Sequence, residues 1–314
     1  FNMYVGIDLG GTNIAAGLVN DEGKIIAKDS TLTMLPRDYT EIVKDMAELV
    51  KRLMADNGLT EKDINGIGIG CPGSIDAKNG EVAFSNNLKM NHAPVAAELK
   101  KYFDLPVSML NDADAAAYGE YMINGDNVDS FIFITLGTGV GGGIIINKKV
   151  YSGFNGAGGE LGHITLVHNG VPCNCGNIGC WEAYASVTAL IRQTKEAMEK
   201  HPESMMNKIA AEEGKVSGRT AFNAAKAGDE AGKAVVAQYC EYVASGLVSI
   251  INIFQPEKLV IGGGISKEGE YLLKPIREYC NAHEYNKYLK KVSISIATLF
   301  NDAGIIGAAL SAKN

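Results

Sequence analysis

The chain has 314 residues, of which 46% are hydrophobic and 21% charged. This composition excludes intrinsic disorder and leaves enough apolar side chain for two buried cores. Asp and Glu outnumber Lys and Arg by 36 to 29, a net charge of −7, and basic residues cluster no further than short pairs, so no nucleic-acid partner is expected.

The first residues lack a basic segment followed by a long apolar one, and the apolar runs are cut by Gly or charge, so the protein is expected to be cytoplasmic, with no membrane partner. Residues 4–28, YVGIDLGGTNIAAGLVNDEGKIIAK, alternate short apolar runs with Gly, Asn and Asp turns, which predicts three antiparallel strands. Ile42, Val43, Met46, Leu49, Val50 and Leu53 then recur at helical spacing up to the stop Asn57-Gly58. An apolar strip, INGIGIGCPG, follows at 64–73, and residues 94–122 read as helix, strand and helix. Residues 131–151, FIFITLGTGVGGGIIINKKVY, repeat the opening pattern. Shifted by 127 positions, Ile7, Leu9, Gly10 and Asn20 fall on Ile134, Leu136, Gly137 and Asn147. The remainder predicts helices near 181–200 and 229–254, the strand KLVIGGG at 258–264, and a final strand and helix within 292–312. Two α/β domains of common ancestry are expected, on either side of a cleft. Residues 3–112 would form the smaller and 113–300 the larger, with a C-terminal helix at about 301–314 packing back on the first.

Four glycine clusters follow strand-like runs: DLGGTN (8–13), LGTGVGGG (136–143), IGGGIS (261–266) and DAGIIGAA (302–309). Glycine lets backbone N–H groups approach an anion, but it serves hairpin turns equally well. Gly137, Gly139 and Gly142 fit G-x-G-x-x-G, yet Ile144, Ile145 and Ile146 continue a strand where a dinucleotide fingerprint requires a helix. No G-K-[ST] occurs. What remains is two strand-turn-strand hairpins, each presenting backbone donors and a threonine, Thr12 or Thr138.

Asn111-Asp112 lies where a short strand gives way to a helix, and by itself Asp112 reads as an N-cap. Asp114 reads as a helix-start carboxylate. Glu160 and His163, three apart, share a face if their segment turns helically, and their acceptors and donors suit neighbouring hydroxyls. Cys173, Cys175 and Cys180 have the spacing C-x-C-x₄-C, with His163 ten residues upstream. In a reducing compartment this cluster points to metal rather than a disulfide. Three thiolates and one imidazole make a closed zinc site without an open position. A redox pair is the alternative, but there is no C-x-x-C; buried free thiols are another, and they leave the intervening glycines unexplained. Cys71, Cys240 and Cys280 lie in apolar or helical contexts and read as buried thiols.

In this order and spread over residues 3–312, the four glycine motifs resemble those of the actin-like ATPase and sugar kinase superfamily. LGTGVGGGIIINKKVYSGFNGAGGELGH and CNCGNIGCWE, the latter matching C-x-C-G-x-x-G-C-x-E, are similar to the signatures of the ROK (repressor, open reading frame, kinase) family. The resemblance implies two actin-like ATPase (ribonuclease H-like) α/β domains flanking a cleft, and an ATP-dependent, zinc-containing hexose kinase acting on the 6-hydroxyl of glucose. It implies that Asp8 holds Mg²⁺ through water and that Gly10, Gly11, Thr12, Asn13, Gly137, Thr138 and Gly139 surround the β and γ phosphates of ATP. Gly263 and Gly264 would border the adenosine. Asp112 would be the general base, and Gly73, Asn87, Asn111, Asp112, Glu160, His163 and Glu182 would contact the sugar. Zn²⁺ would be held by His163, Cys173, Cys175 and Cys180, which orients the imidazole in the pocket wall. A homodimer or homotetramer is implied as well. Met90 stands where the family places an aromatic residue after Asn-Leu, so N-acetylmannosamine, N-acetylglucosamine, fructose and allose are alternative sugars. Sugar-responsive transcriptional repressors form a second class in the family. They carry a DNA-binding domain ahead of the first strand, and a first strand at about Met3 leaves no room for one.

Overall fold

A computed structural model describes residues 2–313. In chain order the strands and helices are β1 (Met3–Leu9), β2 (Asn13–Asn20), β3 (Ile25–Leu32), α1 (Tyr39–Asp56), β4 (Ile64–Cys71), β5 (Ser74–Asp76), β6 (Glu81–Ser85), β7 (Met90–Ala93), α2 (Val95–Leu99), β8 (Val107–Asn111) and α3 (Asp112–Asn124). They continue with β9 (Ser130–Leu136), β10 (Val140–Ile146), β11 (Lys149–Val150), α4 (Glu182–Ala185), α5 (Val187–Lys200), α6 (Met205–Glu213), α7 (Thr220–Lys226), α8 (Glu230–Phe254), β12 (Lys258–Gly262), α9 (Glu270–His283), β13 (Ser293–Ile296) and α10 (Ala303–Ser311). The chain divides into two compact units. One runs up to Phe133 and adds Gly143–Gly159 and the chain from Thr298 onward; the other is Ile134–Gly142 with Glu160–Ala297.

The first unit is built on a sheet ordered β3-β2-β1-β4-β8. The antiparallel β1–β2 and β2–β3 pairs form the meander expected for residues 4–28, while β1–β4 and β4–β8 are parallel. Side chains alternate between the faces of a strand. Val5, Ile7 and Leu9 of β1 join a core with Ile42, Val43 and Met46 of α1. Burying each such side chain stabilises the fold by about 1.5–3 kcal/mol. Asp38 starts α1, its carboxylate accepting the Thr40 N–H at 2.9 Å.

The opposite face of β1 carries Tyr4, Gly6 and Asp8, and here Tyr4 and Val19 pack against Ile305 and Ala309 of α10. Helix α10 lies so close that a Cβ on Gly6 would fall 1.9 Å from the Ile305 carbonyl oxygen. It crosses α3 equally closely, since a Cβ on Gly307 would fall 1.7 Å from the Ala115 oxygen. This small-residue crossing is why the first unit runs on past residue 112 through α3. A three-stranded sheet, β5-β6-β7, also belongs to it. The sequence did not foretell that sheet, because its strands have only three to five residues.

A second five-stranded sheet has the order β11-β10-β9-β12-β13. Strand β9 begins and ends 127 residues after β1 and has the same succession of buried and half-buried positions. In the second unit α8 buries Tyr239, Val243 and Leu247. By length and composition alone this 25-residue helix is apolar enough to cross a membrane, although Gly232, Lys233, Glu241 and Gly246 interrupt its apolar runs. Its apolar residues instead serve the core of the unit, with Tyr239 donating to the Ala185 carbonyl at 2.8 Å.

Candidate functional site

In the first unit, the carboxyl ends of the parallel strands collect the polar residues, the usual place for ligands in open α/β sheets. Asp8 lies near the end of β1, in register with Gly70 of β4, which pairs in turn with Leu110 of β8. Asp112 begins α3 just beyond β8. The two carboxylates therefore stand about two strand spacings, roughly 10 Å, apart in the backbone. Burial, then the charge of Asp112, raises the pKa of Asp8 from 3.8 to about 6. The start of α10 adjoins it, a Cβ on Gly304 falling 3.5 Å from Asp8 Oδ2. Cys71 is fully buried, and burial followed by the charges of Asp112 and Asp8 pushes its thiol far up. It is the inert thiol expected, but beside both carboxylates, which its apolar sequence context did not disclose.

The cap of α3 is Asn111, not Asp112: Asn111 Oδ1 accepts the Ala113 N–H at 2.9 Å. Asn111 Nδ2 donates to the Gly73 carbonyl at 2.9 Å, where Gly73 takes φ +120° and a Cβ would lie 2.2 Å from the Phe84 oxygen. Asp112 Oδ1 shares the Ala113 N–H at 2.9 Å. Solvent reaches this carboxylate, yet protein fills enough of its surroundings that desolvation raises its pKa, outweighing the backbone hydrogen bonds that lower it. Asp114 is buried in the first turn of α3.

The Gly10–Asn13 turn closes with Gly10 N–H donating to the Asn13 carbonyl at 2.9 Å. Thr33, fully buried, holds it from within: its Oγ1 donates to the Gly10 carbonyl at 2.7 Å and its N–H to the Thr12 carbonyl at 2.9 Å. Gly11, Thr12 and Asn13 face solvent, and the Asn87 carbonyl oxygen would be 3.6 Å from a Cβ on Gly11. The structure thus gathers Asp8, the turn, Gly73, Asn87, Asn111 and Asp112 in one unit. Sequence reasoning missed Thr33, and nothing in its neighbourhood signals it.

In the second unit the ligand atoms of His163, Cys173, Cys175 and Cys180 all lie within 4.8 Å of one another. His163 Nδ1 is 3.8 Å from Cys173 Sγ, and Cys175 Sγ is 3.6 Å from Cys180 Sγ. A tetrahedron with Zn–S bonds of about 2.3 Å has edges of about 3.8 Å, so this donor set fits zinc in size as in chemistry. The Asn177 N–H bonded to Cys175 lowers that thiol's pKa, while burial raises those of Cys173 and Cys180, so a cation is needed to make thiolates of all three. The loop turns at Gly176 and Gly179, with φ of +91° and +80°. It is anchored by Trp181, fully buried, whose Nε1 donates to the Tyr242 carbonyl at 2.9 Å.

Glu160 and His163 are related by a 3₁₀ turn at 161–163, the His163 N–H donating to the Glu160 carbonyl at 3.1 Å. Glu182, at the start of α4, accepts the Val140 N–H with Oε2 at 2.8 Å. The Gly137–Gly139 turn closes through the Gly137 N–H and the Gly139 carbonyl at 3.0 Å, and its other carbonyls accept from α5: Gly137 from the Val187 N–H and Thr138 from Thr188 Oγ1, both at 2.8 Å. Strand β10 follows this turn directly, in keeping with the rejection of a dinucleotide fingerprint. A cavity of about 460 Å³ opens beside the turn, lined by Gly137, Thr138, Val187, Ile191, Arg219 and Gly264 among others. Gly263, with φ +89°, adjoins it, a Cβ there falling 2.1 Å from the Leu136 oxygen. Val187 and Ile191 were not foreseen, because apolar helix positions facing a cavity have the same spacing as those facing a core, nor was Arg219, which precedes α7 outside any motif.

The model of the ROK family matches residues 4–314. The chain belongs to the ROK family. This ROK chain is 37% identical to a glucokinase of Halalkalibacterium halodurans over 97% of its own length and 93% of the relative's. It is 32% identical to a xylose repressor of Caldicellulosiruptor bescii, over 96% of its length and 76% of the repressor's. The crystal structure of a ROK family glucokinase from Streptomyces griseus in complex with glucose and AMPPNP matches it with a TM-score of 0.81 and 35% identity, covering 99% of each chain. The ROK chain accordingly has the mixed α/β, two-domain actin-like ATPase fold of the ROK sugar kinases.

Proposed function

We propose that this ROK chain is an ATP-dependent hexose kinase that phosphorylates the 6-hydroxyl of glucose. Asp112 carries the reading. It is a carboxylate reached by solvent, with a pKa raised by desolvation, and the capping of its helix is assigned to Asn111. A raised pKa makes a carboxylate a better proton acceptor near neutrality. Asp112 would take the proton of the primary hydroxyl as that oxygen attacks the γ-phosphorus, while the bond to the β,γ-bridging oxygen breaks and ADP leaves. The proton then passes to solvent. Kinship with glucokinases at 35–37% identity over nearly the whole chain supports the assignment of glucose.

The remaining roles follow from the chemistry of each group. Asp8, near a strand end and beside a glycine turn, suits Mg²⁺ held through water, which when bound neutralises phosphate charge. The backbone of Gly10, Gly11, Asn13, Gly137 and Gly139, with the hydroxyls of Thr12 and Thr138, is assigned to the phosphates, and the cavity beside Thr138 and Gly264 to the adenosine. Gly73, Asn87, Asn111, Glu160, His163 and Glu182 are assigned to the sugar. Zinc on Cys173, Cys175, Cys180 and Nδ1 of His163 would fix the imidazole and leave Nε2 as donor to a hydroxyl. Assembly as a homodimer or homotetramer, in the cytoplasm, belongs to the same proposal.

A sugar-responsive regulator is the reading from another class, favoured by the kinship with xylose repressors. Sensing a sugar requires no proton acceptor, whereas Asp112 has the properties of one. The test is ADP release with glucose, N-acetylmannosamine, N-acetylglucosamine, fructose and allose, alongside a DNA mobility-shift assay. The highest kcat/KM is expected on glucose. A higher value on another sugar moves the substrate, and no release with any of them, joined to a sugar-dependent DNA shift, replaces the kinase by the regulator.

A further inference from the structure

We infer that Glu182 is a positioning residue for the nucleotide's phosphates, tying the Gly137–Gly139 turn to the metal cluster, so that nucleotide affinity depends on the cluster even without sugar. The inference rests on the phosphate role proposed above for that turn.

One carboxylate touches both structures. Glu182 Oε2 accepts the Val140 N–H at 2.8 Å, immediately after the turn, and Oε1 lies 3.7 Å from Cys173 Sγ. Cys173 is in turn 3.8 Å from His163 Nδ1. The approach is close: a Cβ on residue 139 would fall 2.3 Å from Glu182 Oε2, so a larger residue there would push the carboxylate aside. Gly139 does not have positive φ, and the groups its missing side chain would meet are those of this carboxylate.

Both arms of the cluster meet at Val140. A Cβ on Gly162, next to His163, would lie 2.1 Å from the Val140 carbonyl oxygen, so the histidine arm packs on the residue whose N–H Glu182 holds. The root of Glu182 is fixed as well: Cys180 is a cluster residue and Trp181 is fully buried. Helix α5 holds the other side of the turn through Val187 and Thr188. The turn is therefore clamped between α5 and the cysteine loop, and Glu182 is the hydrogen-bonded link on the loop side.

The test uses full-length, zinc-loaded protein with metal content measured, and Mg-AMPPNP binding followed by calorimetry without sugar. Glu182→Ala leaves the Val140 N–H without its charged acceptor and is expected to weaken binding about tenfold. Glu182→Gln keeps an acceptor oxygen and is expected to restore most of the affinity. Hydrogen exchange is the second measurement, and Glu182→Ala is expected to speed exchange at the Val140 amide. Nucleotide affinity within about twofold of the parent, in an Ala variant that keeps its zinc, overturns the inference. Unchanged Val140 exchange overturns the clamp whether or not nucleotide binds. If the parent binds no Mg-AMPPNP while Val140 exchange does rise in the Ala variant, the clamp stands and the phosphate role of the turn is what fails, taking the affinity claim with it.

Discussion

The charge of Asp112 adds to burial in lifting Asp8 to a pKa of about 6, although strand β4 stands between the strands that lead to the two residues. Two carboxylates held in this relation are costly to ionise together and suited to a cation.

The pH dependence follows from the sign of that shift. Folded Asp8 binds its proton more tightly than an unfolded aspartate at 3.8 does. Ionised Asp8 therefore costs stability, in full above about pH 6, and the cost fades as pH falls towards 4. Asp8→Asn is expected to be more stable than the parent at pH 8 by up to about 3 kcal/mol, and to converge on it by pH 4. Denaturant titrations in metal-free buffer at both pH values check this, and equal stability at pH 8 removes the argument.

Asp112→Asn removes the proposed proton acceptor and keeps the shape. Turnover is expected to drop by about 10²–10⁴, while glucose affinity by calorimetry stays within about threefold. A variant turning over at near-parental rate would show that the proton goes elsewhere.

Cys175→Ser tests the coupling of metal to sugar. Cys175 is exposed, so the substitution acts on the donor set rather than on a core. Zinc content by mass spectrometry is expected to fall well below one per chain, and glucose affinity to drop about tenfold through His163. Loss of zinc with unaltered glucose binding would separate the two.

Gly307→Ala places a Cβ where the Ala115 carbonyl oxygen lies 1.7 Å away. That contact is with backbone, so α3 and α10 have to part. Destabilisation of at least about 1–3 kcal/mol is expected, read as a lower urea midpoint; an unchanged midpoint would mean that the helices separate freely.

Much of this was legible in the sequence because it depends on short-range rules. The 127-residue shift that superposes Ile7 on Ile134 is the shift between β1 and β9, since duplicated strands keep both length and pattern of burial. Cys173, Cys175 and Cys180 announced a cluster of metal-ligating donors, which folding brings together with His163, and the glycine turns marked the ends of strands. The Asn111-Asp112 pair marked a helix start, though not which of the two caps it.

Tertiary structure alone decided the rest. Gly139 and Glu182 are 43 positions apart, and only folding reveals that the carboxylate of one lies against the backbone of the other. Thr33 resembles any strand-end threonine until it is seen holding two carbonyls of the Gly10–Asn13 turn. Val187 and Ile191 face a cavity with the periodicity of core residues, and α8 has the composition of a membrane helix but spends it on a buried core. Sequence carries what a residue needs from its chain neighbours: a φ angle, a ligand spacing, an alternating face. It does not carry which distant group will occupy the space left open, because that is set by packing of the whole unit.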